Sequence, residues 1–175
     1  MIRLGRGAWK GRVLRPSFPL RPTSSLVRSA VVDILGPGWL EGRRVVDLCC
    51  GSGAVGIECM GCGAEHCTFV DSSPAAVAFV RSELESLGVR SGFATVCIDV
   101  RKLDLRALRP ADLVFVDPPY EEDSVYSWIA SVDWAASVTR GGLVFVESGA
   151  GKPPPGRSWT SRRYGDSRLS WLEIG

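Results

Sequence analysis

The chain alternates short, mainly apolar runs with stretches whose apolar residues recur every three or four positions. The runs are Val45-Val46-Asp47-Leu48, Cys67-Thr68-Phe69-Val70-Asp71, Ala94-Thr95-Val96-Cys97-Ile98-Asp99, Leu113-Val114-Phe115-Val116-Asp117 and Gly141-Gly142-Leu143-Val144-Phe145-Val146-Glu147. Such runs predict strands, and those at 113–116 and 141–147 read as buried strands, the first on both faces. Between them lie predicted helices. The first is capped by Thr23 or Ser24 and runs to about Leu35, with Leu26, Ala30, Val31 and Ile34 on its buried side. The second follows Gly51-Ser52-Gly53-Ala54-Val55-Gly56. The third is capped by Ser73, has Pro74 at its first position, shows Val77, Val80, Leu84 and Leu87 on one face, and stops at Gly88. Leu103 to Leu108 reads as a short helical turn. Ser124 to Val138 reads as a helix, with Val125, Trp128, Ile129 and Val132 toward the sheet. Trp159–Tyr164 and Leu169–Ile174 read as closing strands around the turn Gly165-Asp166-Ser167. Strands alternating with helices specify an α/β fold: a Rossmann-like, doubly wound, mostly parallel sheet with an antiparallel C-terminal hairpin.

The first 22 residues do not share this pattern. Gly, Arg and apolar residues alternate from Ile2 to Arg15, and Pro16 to Pro22 is a proline-rich connector. The expectation is a short hairpin or irregular arm over 1–22, joined to one domain over 23–175. Trp9, beside Lys10 and Arg12, either stacks on a nucleotide or anchors the arm to the body.

Charge changes the picture more than composition does. Hydrophobic residues make up 45% and charged residues 23% of 175, which suits one soluble domain. Net charge is only +2. Yet seven basic residues and no acid precede Asp33, whereas nine basic and seventeen acidic residues lie between Asp33 and Ala150. A basic arm on an acidic body points to a polyanionic partner. The stretch from Met1 to Arg6 lacks a signal-peptide run, and no segment has the length of a membrane span, so a cytoplasmic protein with six reduced cysteines is expected.

The candidate chemistry gathers at strand ends. Asp47 precedes the glycine loop, and Asp71, Asp99 and Asp117 each close a predicted strand. Open α/β sheets bind ligands at those ends. Glycines let backbone approach a ligand, and Asp71 lies twenty residues after Gly51, the spacing of an acid that takes ribose hydroxyls. The glycine pattern alone would also permit a nicotinamide oxidoreductase. Four carboxylates fit a ligand with hydroxyls, amines and positive charge better than a pyrophosphate, and S-adenosylmethionine has all three features. On this reading Asp71 serves its ribose, Asp99 its adenine amine, and Asp47 with Gly51, Ser52 and Gly53 its methionine part, with Ser72 and Asp117 also among the cofactor-binding residues. Asp117-Pro118-Pro119-Tyr120 suits a planar group bearing an NH2. Asp117 and the Pro118 carbonyl accept its two N–H groups, and Tyr120 stacks on its face.

These residues resemble a known family. Asp47 to Gly56 looks like the first motif of class I S-adenosylmethionine-dependent methyltransferases, and Asp117-Pro118-Pro119-Tyr120 like their amino-methylating signature. With the basic arm, Leu20-Arg21-Pro22-Thr23 and Tyr164-Gly165-Asp166-Ser167, the chain resembles the bacterial 16S rRNA guanine-N2 methyltransferase family (RsmD-like) from Ile2 to Ile174. The resemblance implies transfer of methyl to the exocyclic N2 of a guanine in 16S rRNA, with Asp117, Pro118 and Tyr120 catalytic. It implies a partner that is 16S rRNA within an assembled or partly assembled small subunit, and a monomeric enzyme. Arg3, Arg6, Lys10, Arg12 and Arg21 would meet its phosphates. Departures are Cys49-Cys50 where the family has Phe-Ala, Ser29 where it has Glu, and Glu83 where Asn is common.

Two rivals remain. One is an N6-adenine methyltransferase for DNA or RNA, which the catalytic motif fits equally. The other is a non-catalytic RNA-binding protein with a vestigial Rossmann body. Cys59-x-x-Cys62 with His66 and Cys67 suggests zinc, but one pair does not close a four-ligand site, so no metal is expected. Trp128, Trp134, Trp159 and Trp171 read as packing residues.

Overall fold

The computed structural model describes residues 1–20, 23–119, 122–151 and 153–175. The arm is a hairpin of two short strands, β1 (Ile2–Arg3) and β2 (Val13–Leu14), paired antiparallel. It is not free of the body: Ile2, Leu4 and Leu14 are buried in the main core. There follow α1 (Ser25–Leu35), β3 (Arg44–Leu48), α2 (Ala54–Gly61), β4 (His66–Asp71), α3 (Pro74–Ser86), β5 (Phe93–Cys97), β6 (Ala111–Val116), α4 (Asp123–Ser131), β7 (Val138–Gly149), β8 (Thr160–Tyr164) and β9 (Ser167–Glu173).

Among the described residues the main sheet has seven strands in the order β5-β4-β3-β6-β7-β9-β8. Its first five are parallel, and β9 lies antiparallel between β7 and β8. This is the doubly wound sheet with an antiparallel end that the apolar pattern predicts. The chain leaves β3 toward one edge and returns to β6 on the other side of β3, so the order reverses between these strands. Such a switch point opens a crevice beyond the strand ends.

Alternate residues of each strand feed two cores. Val45, Phe69, Leu113, Phe115, Phe145 and Leu169 pack under the arm, α1, α2 and α3. Val46, Leu48, Val114, Val116, Val144 and Val146 pack with α4, including Val125 and Ile129. Trp134 is buried edge-on to Trp128, and Trp171 stacks on Phe145, so these rings pack rather than bind. Among the described residues no helix is long and apolar enough to cross a membrane.

Several expected boundaries move, each for a physical reason. The helix expected over 124–138 ends at Ser131, and Val132 is extended (φ −65°, ψ 131°). Trp134 is the cause. Five residues past Ile129, it would point about 140° away on a continuing helix, and its burial requires the break. A 3-10 turn over Trp134–Ala136 follows. β7 starts early, at Val138: it bulges between Val138 and Leu143, opposite Ala111 to Leu113 of β6, where Gly141 adopts φ +77°. β5 stops at Cys97, so Asp99 lies beyond the strand and caps a 3-10 turn over Val100–Lys102. Ser167 pairs with Tyr164, which leaves a two-residue turn, Gly165-Asp166. On α1 the buried face is Val27, Arg28, Ala30, Val31 and Leu35, while Leu26, expected inside, is 60% exposed.

Candidate active site

The site begins where β3 ends. Cys49 adopts φ +56°, and among the described residues it is the one non-glycine with positive φ. Gly51 (φ +51°) and Gly53 (φ +68°) share this left-handed region and turn the chain sharply into α2. Two acids hold the loop. Asp71 accepts from Gly51 N at 2.9 Å with one oxygen and from Ser73 N at 2.8 Å with the other. Asp47 accepts from Gly56 N at 3.0 Å. Gly56 itself lies against β4; an added Cβ would stand 2.4 Å from the Phe69 ring and 2.7 Å from Cys67 Sγ.

Asp47 is sealed beneath this loop. Burial pushes its carboxyl up to about 8, against the bond from Gly56 and with help from the charge of Asp71. Cys49 feels the same burial and carboxylates, which raise its thiol far above the ordinary range.

Over the carboxyl ends of β3, β4, β5 and β6 lies a cavity of about 360 Å³. Small-molecule sites are typically of this order, about 300 to 1,000 Å³. Its lining brings together Gly51, Asp71, Ser72, Asp99, Asp117 and Pro118 of the expected set. Asp47, Ser52 and Gly53 are buried behind it and do not line it. They shape the loop, and Gly51 carries the loop's backbone to the cavity wall. The lining also includes residues outside the expected site set: Phe18, Pro19 and Leu20 from the connector, Cys49, Arg101 and Glu122. Phe18 is held edge-on to Phe79 of α3, with centroids 5.7 Å apart. The proline-rich composition of 16–22 was a signal for a rigid connector, but nothing in it marked a cavity wall.

Asp99 reaches the cavity already engaged. Arg101 donates to it through its backbone N at 3.0 Å, Nε at 2.9 Å and Nη2 at 2.5 Å. These bonds hold its carboxyl down at about 2. Arg101 Nη1 reaches on to Ser124 Oγ at 2.7 Å, tying this wall to α4.

Asp117 stands one residue past β6, half-buried at the cavity, and its N–H donates to the Leu48 carbonyl at 3.2 Å. Thr23 Oγ1 donates to Asp117 Oδ2 at 2.6 Å. Pro118 is buried. Tyr120, the expected stacking residue, lies outside the described residues, as does Arg21.

Behind Thr23 lies a buried ion pair that the motif reading missed. Arg28 Nε contacts Glu58 Oε1 at 3.2 Å, with both side chains 4% exposed or less. Arg28 also donates to the Thr23 carbonyl at 2.6 Å and the Arg3 carbonyl at 2.8 Å, and Glu58 accepts from Gly5 N at 2.7 Å. One guanidinium fork thus joins the arm, α1 and α2. An arginine on an apolar helix face facing an in-helix glutamate was the available sequence signal. Ser29, where the family has Glu, borders a surface groove with Arg162 and Tyr164 rather than this cavity.

Arg3, Arg6, Lys10 and Arg12 are not at the cavity. Ala8 N donates to the Gly61 carbonyl at the far end of α2, and Trp9 packs over Gly61 as an anchor. Arg6 pairs with Asp33 at 2.6 Å, Arg3 reaches the Gly11 carbonyl at 3.2 Å, and Arg12 reaches Ser86 Oγ at 3.4 Å. α3 is 13 residues long, about 20 Å, so Arg12 sits roughly that far from Ser73 at the cavity. Lys10 is exposed. His66 starts β4 at the amino-terminal ends of the strands, opposite the cavity, and burial with Arg44 nearby lowers its pKa. Among the described residues no group of three His, Cys, Asp or Glu is arranged to hold a metal.

Known proteins share this architecture. The chain is 32% identical over 151 residues to the "Putative rRNA methyltransferase YlbH" of Bacillus subtilis, covering 83% of this chain and 82% of that one. It is 29% identical over 168 residues to the "Ribosomal RNA small subunit methyltransferase D" of Escherichia coli, covering 93% and 83%. Among solved structures, the Thermus thermophilus 16S rRNA N2 G1207 methyltransferase, in complex with AdoMet and guanosine, superposes with a TM-score of 0.73 at 21% identity. That match covers 91% of this chain and 44% of the other, and it speaks for the fold. The family described as Conserved hypothetical protein 95 is matched from residue 2 to residue 173, and the chain belongs to that family.

Proposed function

We propose that this protein transfers a methyl group from S-adenosylmethionine to the exocyclic N2 of a guanine in 16S rRNA. The observation that carries the proposal is the meeting of Asp117 and Pro118 with Gly51, Asp71 and Asp99 at one cavity of about 360 Å³. The donor set fits the cofactor. Asp71 offers its remaining lone pairs to ribose hydroxyls, Asp99 lies on the wall assigned to the adenine, and the Gly51 backbone can approach the methionine part. When bound, the cofactor supplies an electrophilic methyl on a sulfonium. The names of the Bacillus subtilis and Escherichia coli relatives support rRNA as the substrate class.

The chain's own residues orient the acceptor. A guanine must leave its stack to reach the cavity. Asp117 and the Pro118 carbonyl accept its two N2 hydrogens, and Tyr120 stacks on its face. The nitrogen lone pair forms the new N–C bond, and the electrons of the methyl–sulfur bond remain with sulfur. Asp117 stabilises the positive charge that develops on N2, and the proton passes to Asp117 or to water. The arm residues Arg3, Arg6, Lys10 and Arg12 contact phosphates well away from the target base, which suits a large, folded partner, and Arg21 adds a further phosphate contact. We therefore take the substrate to be an assembled or partly assembled small subunit, and the enzyme to be a cytoplasmic monomer.

The test is tritium transfer from labelled S-adenosylmethionine to small subunits from cells lacking this protein, followed by nucleoside analysis. Label in N2-methylguanosine is the expected result. Label in methyladenosine would replace the guanine assignment, and absence of label in any RNA nucleoside would overturn the substrate.

A further inference from the structure

We infer that Thr23 is a positioning residue for methyl transfer, one that sets the plane of the Asp117 carboxylate. This rests on the reading of Asp117 as the acceptor of the guanine amine. The sheet determines where Asp117 begins, through the bond from its N–H to the Leu48 carbonyl. It does not determine how the carboxylate is turned, because the terminal torsion of an aspartate is broad. The Thr23 hydroxyl, 2.6 Å from Oδ2, supplies a defined donor at one oxygen. That length is the one seen for hydroxyls donating to carboxylates.

Thr23 is itself held. Ser24 caps α1 by accepting from Val27 N at 3.2 Å, so the Thr23 hydroxyl is not spent on the helix end. The Thr23 carbonyl receives Arg28 Nη1 at 2.6 Å, and Arg28 is clamped by Glu58 and the Arg3 carbonyl. A chain of contacts from the α2 glutamate through Arg28 and Thr23 thus ends on the carboxylate. The arm closes it, since Arg3 and Gly5 satisfy the same pair. In this arrangement the arm's first residues serve the geometry of the site from a distance, apart from any contact with RNA.

The experiment compares wild type, Thr23→Val and Thr23→Ser in methyl transfer to small subunits lacking the modification, with kcat and KM for both substrates and the cofactor Kd by calorimetry. Thr23→Val is expected to lower kcat by about 10- to 100-fold, the scale of a small misplacement of a reacting group, while both KM values and the cofactor Kd stay within about twofold. Thr23→Ser, which keeps the hydroxyl, is expected to restore kcat to within about threefold of wild type. Should the valine variant fail to fold, Thr23→Ala serves the same comparison. Wild-type kcat in Thr23→Val, a loss confined to KM, or a serine variant as slow as the valine one would overturn the role of Thr23. A wild-type enzyme that labels no guanine would instead overturn the functional reading on which the inference rests.

Discussion

Thr23 and Asp117 are 94 residues apart in the chain and 2.6 Å apart at their oxygens. The bond joins the entry of α1 to the end of β6. It makes the candidate catalytic carboxylate a shared product of the helical layer and the sheet, so changes in either layer reach the site.

Asp117→Ala removes the acceptor and leaves Gly51, Asp71 and Asp99 in place. Turnover is expected to fall by about 10²-fold or more, the usual worth of a positioned acid or base. The cofactor Kd should change by no more than a few-fold. Single-turnover assays with parallel calorimetry check this, and near-wild-type turnover would remove Asp117 from the mechanism.

Glu58→Ala strands the buried Arg28 cation and the Gly5 N–H. Breaking a buried pair in this way costs about 3–5 kcal/mol. In a chain of this size that is a fall in Tm of roughly 6–20 °C. Urea unfolding of the variant beside wild type measures it; a loss under about 1 kcal/mol would show that the pair is not a structural hub.

Asp47 gives a pH dependence whose sign is opposite to that of a paired carboxylate. Its ordinary value is 3.8, and burial raises it to about 8 in the folded chain. Between these values the folded state binds a proton that the unfolded state does not, so stability falls as pH rises. Asp47→Asn keeps an acceptor for Gly56 N and does not titrate. The variant should therefore gain on wild type between about pH 4 and 8, by an amount on the order of a few kcal/mol. Denaturation midpoints of both proteins at about pH 5 and pH 8 read the difference, and parallel pH profiles would contradict it.

Gly56→Ala tests the last glycine of the loop motif. The added carbon would press on Phe69 and Cys67 in the core. Overpacking of this kind costs about 1–3 kcal/mol. A thermal melt should show the loss, and an unchanged Tm would mean that α2 can lift from β4 freely.

Lys10→Gln with Arg12→Gln tests the arm. The double variant should raise KM for the small subunit and leave cofactor affinity unchanged. Affinity should also depend less steeply on salt, by roughly 0.7–0.9 in log–log slope for each phosphate that the arm no longer neutralises. An unaltered slope would move the RNA-binding surface elsewhere on the protein.

The reading from sequence anticipates which residues share the cavity wall where each stands at or just past a strand end. Gly51, Asp71, Asp99 and Asp117 could be named because a strand end and the following turn put them on one edge. It fell short where burial decides. Asp47, Ser52 and Gly53 sit in the same motif as Gly51, yet they turn into the core and serve the loop's shape. Arg28 occupies an apolar helix face where a pattern reading expects no charge, while Leu26, expected inside, is exposed. The helix through Trp134 failed for the same reason: burying that ring outweighed helical periodicity.

What the sequence determined by itself is the alternation of strand and helix, the glycine turn, the acids at strand ends and the separation of basic arm from acidic body. All of these follow from periodicity and backbone freedom, which are local. The tertiary structure alone decided that Thr23 meets Asp117, that Arg28 and Glu58 pair beneath it, that the connector walls the cavity, and that Arg6 and Arg12 lie far from it. Those relations depend on the close packing of segments distant in the chain, where each buried polar group must find a partner, and no local pattern encodes which partner that is.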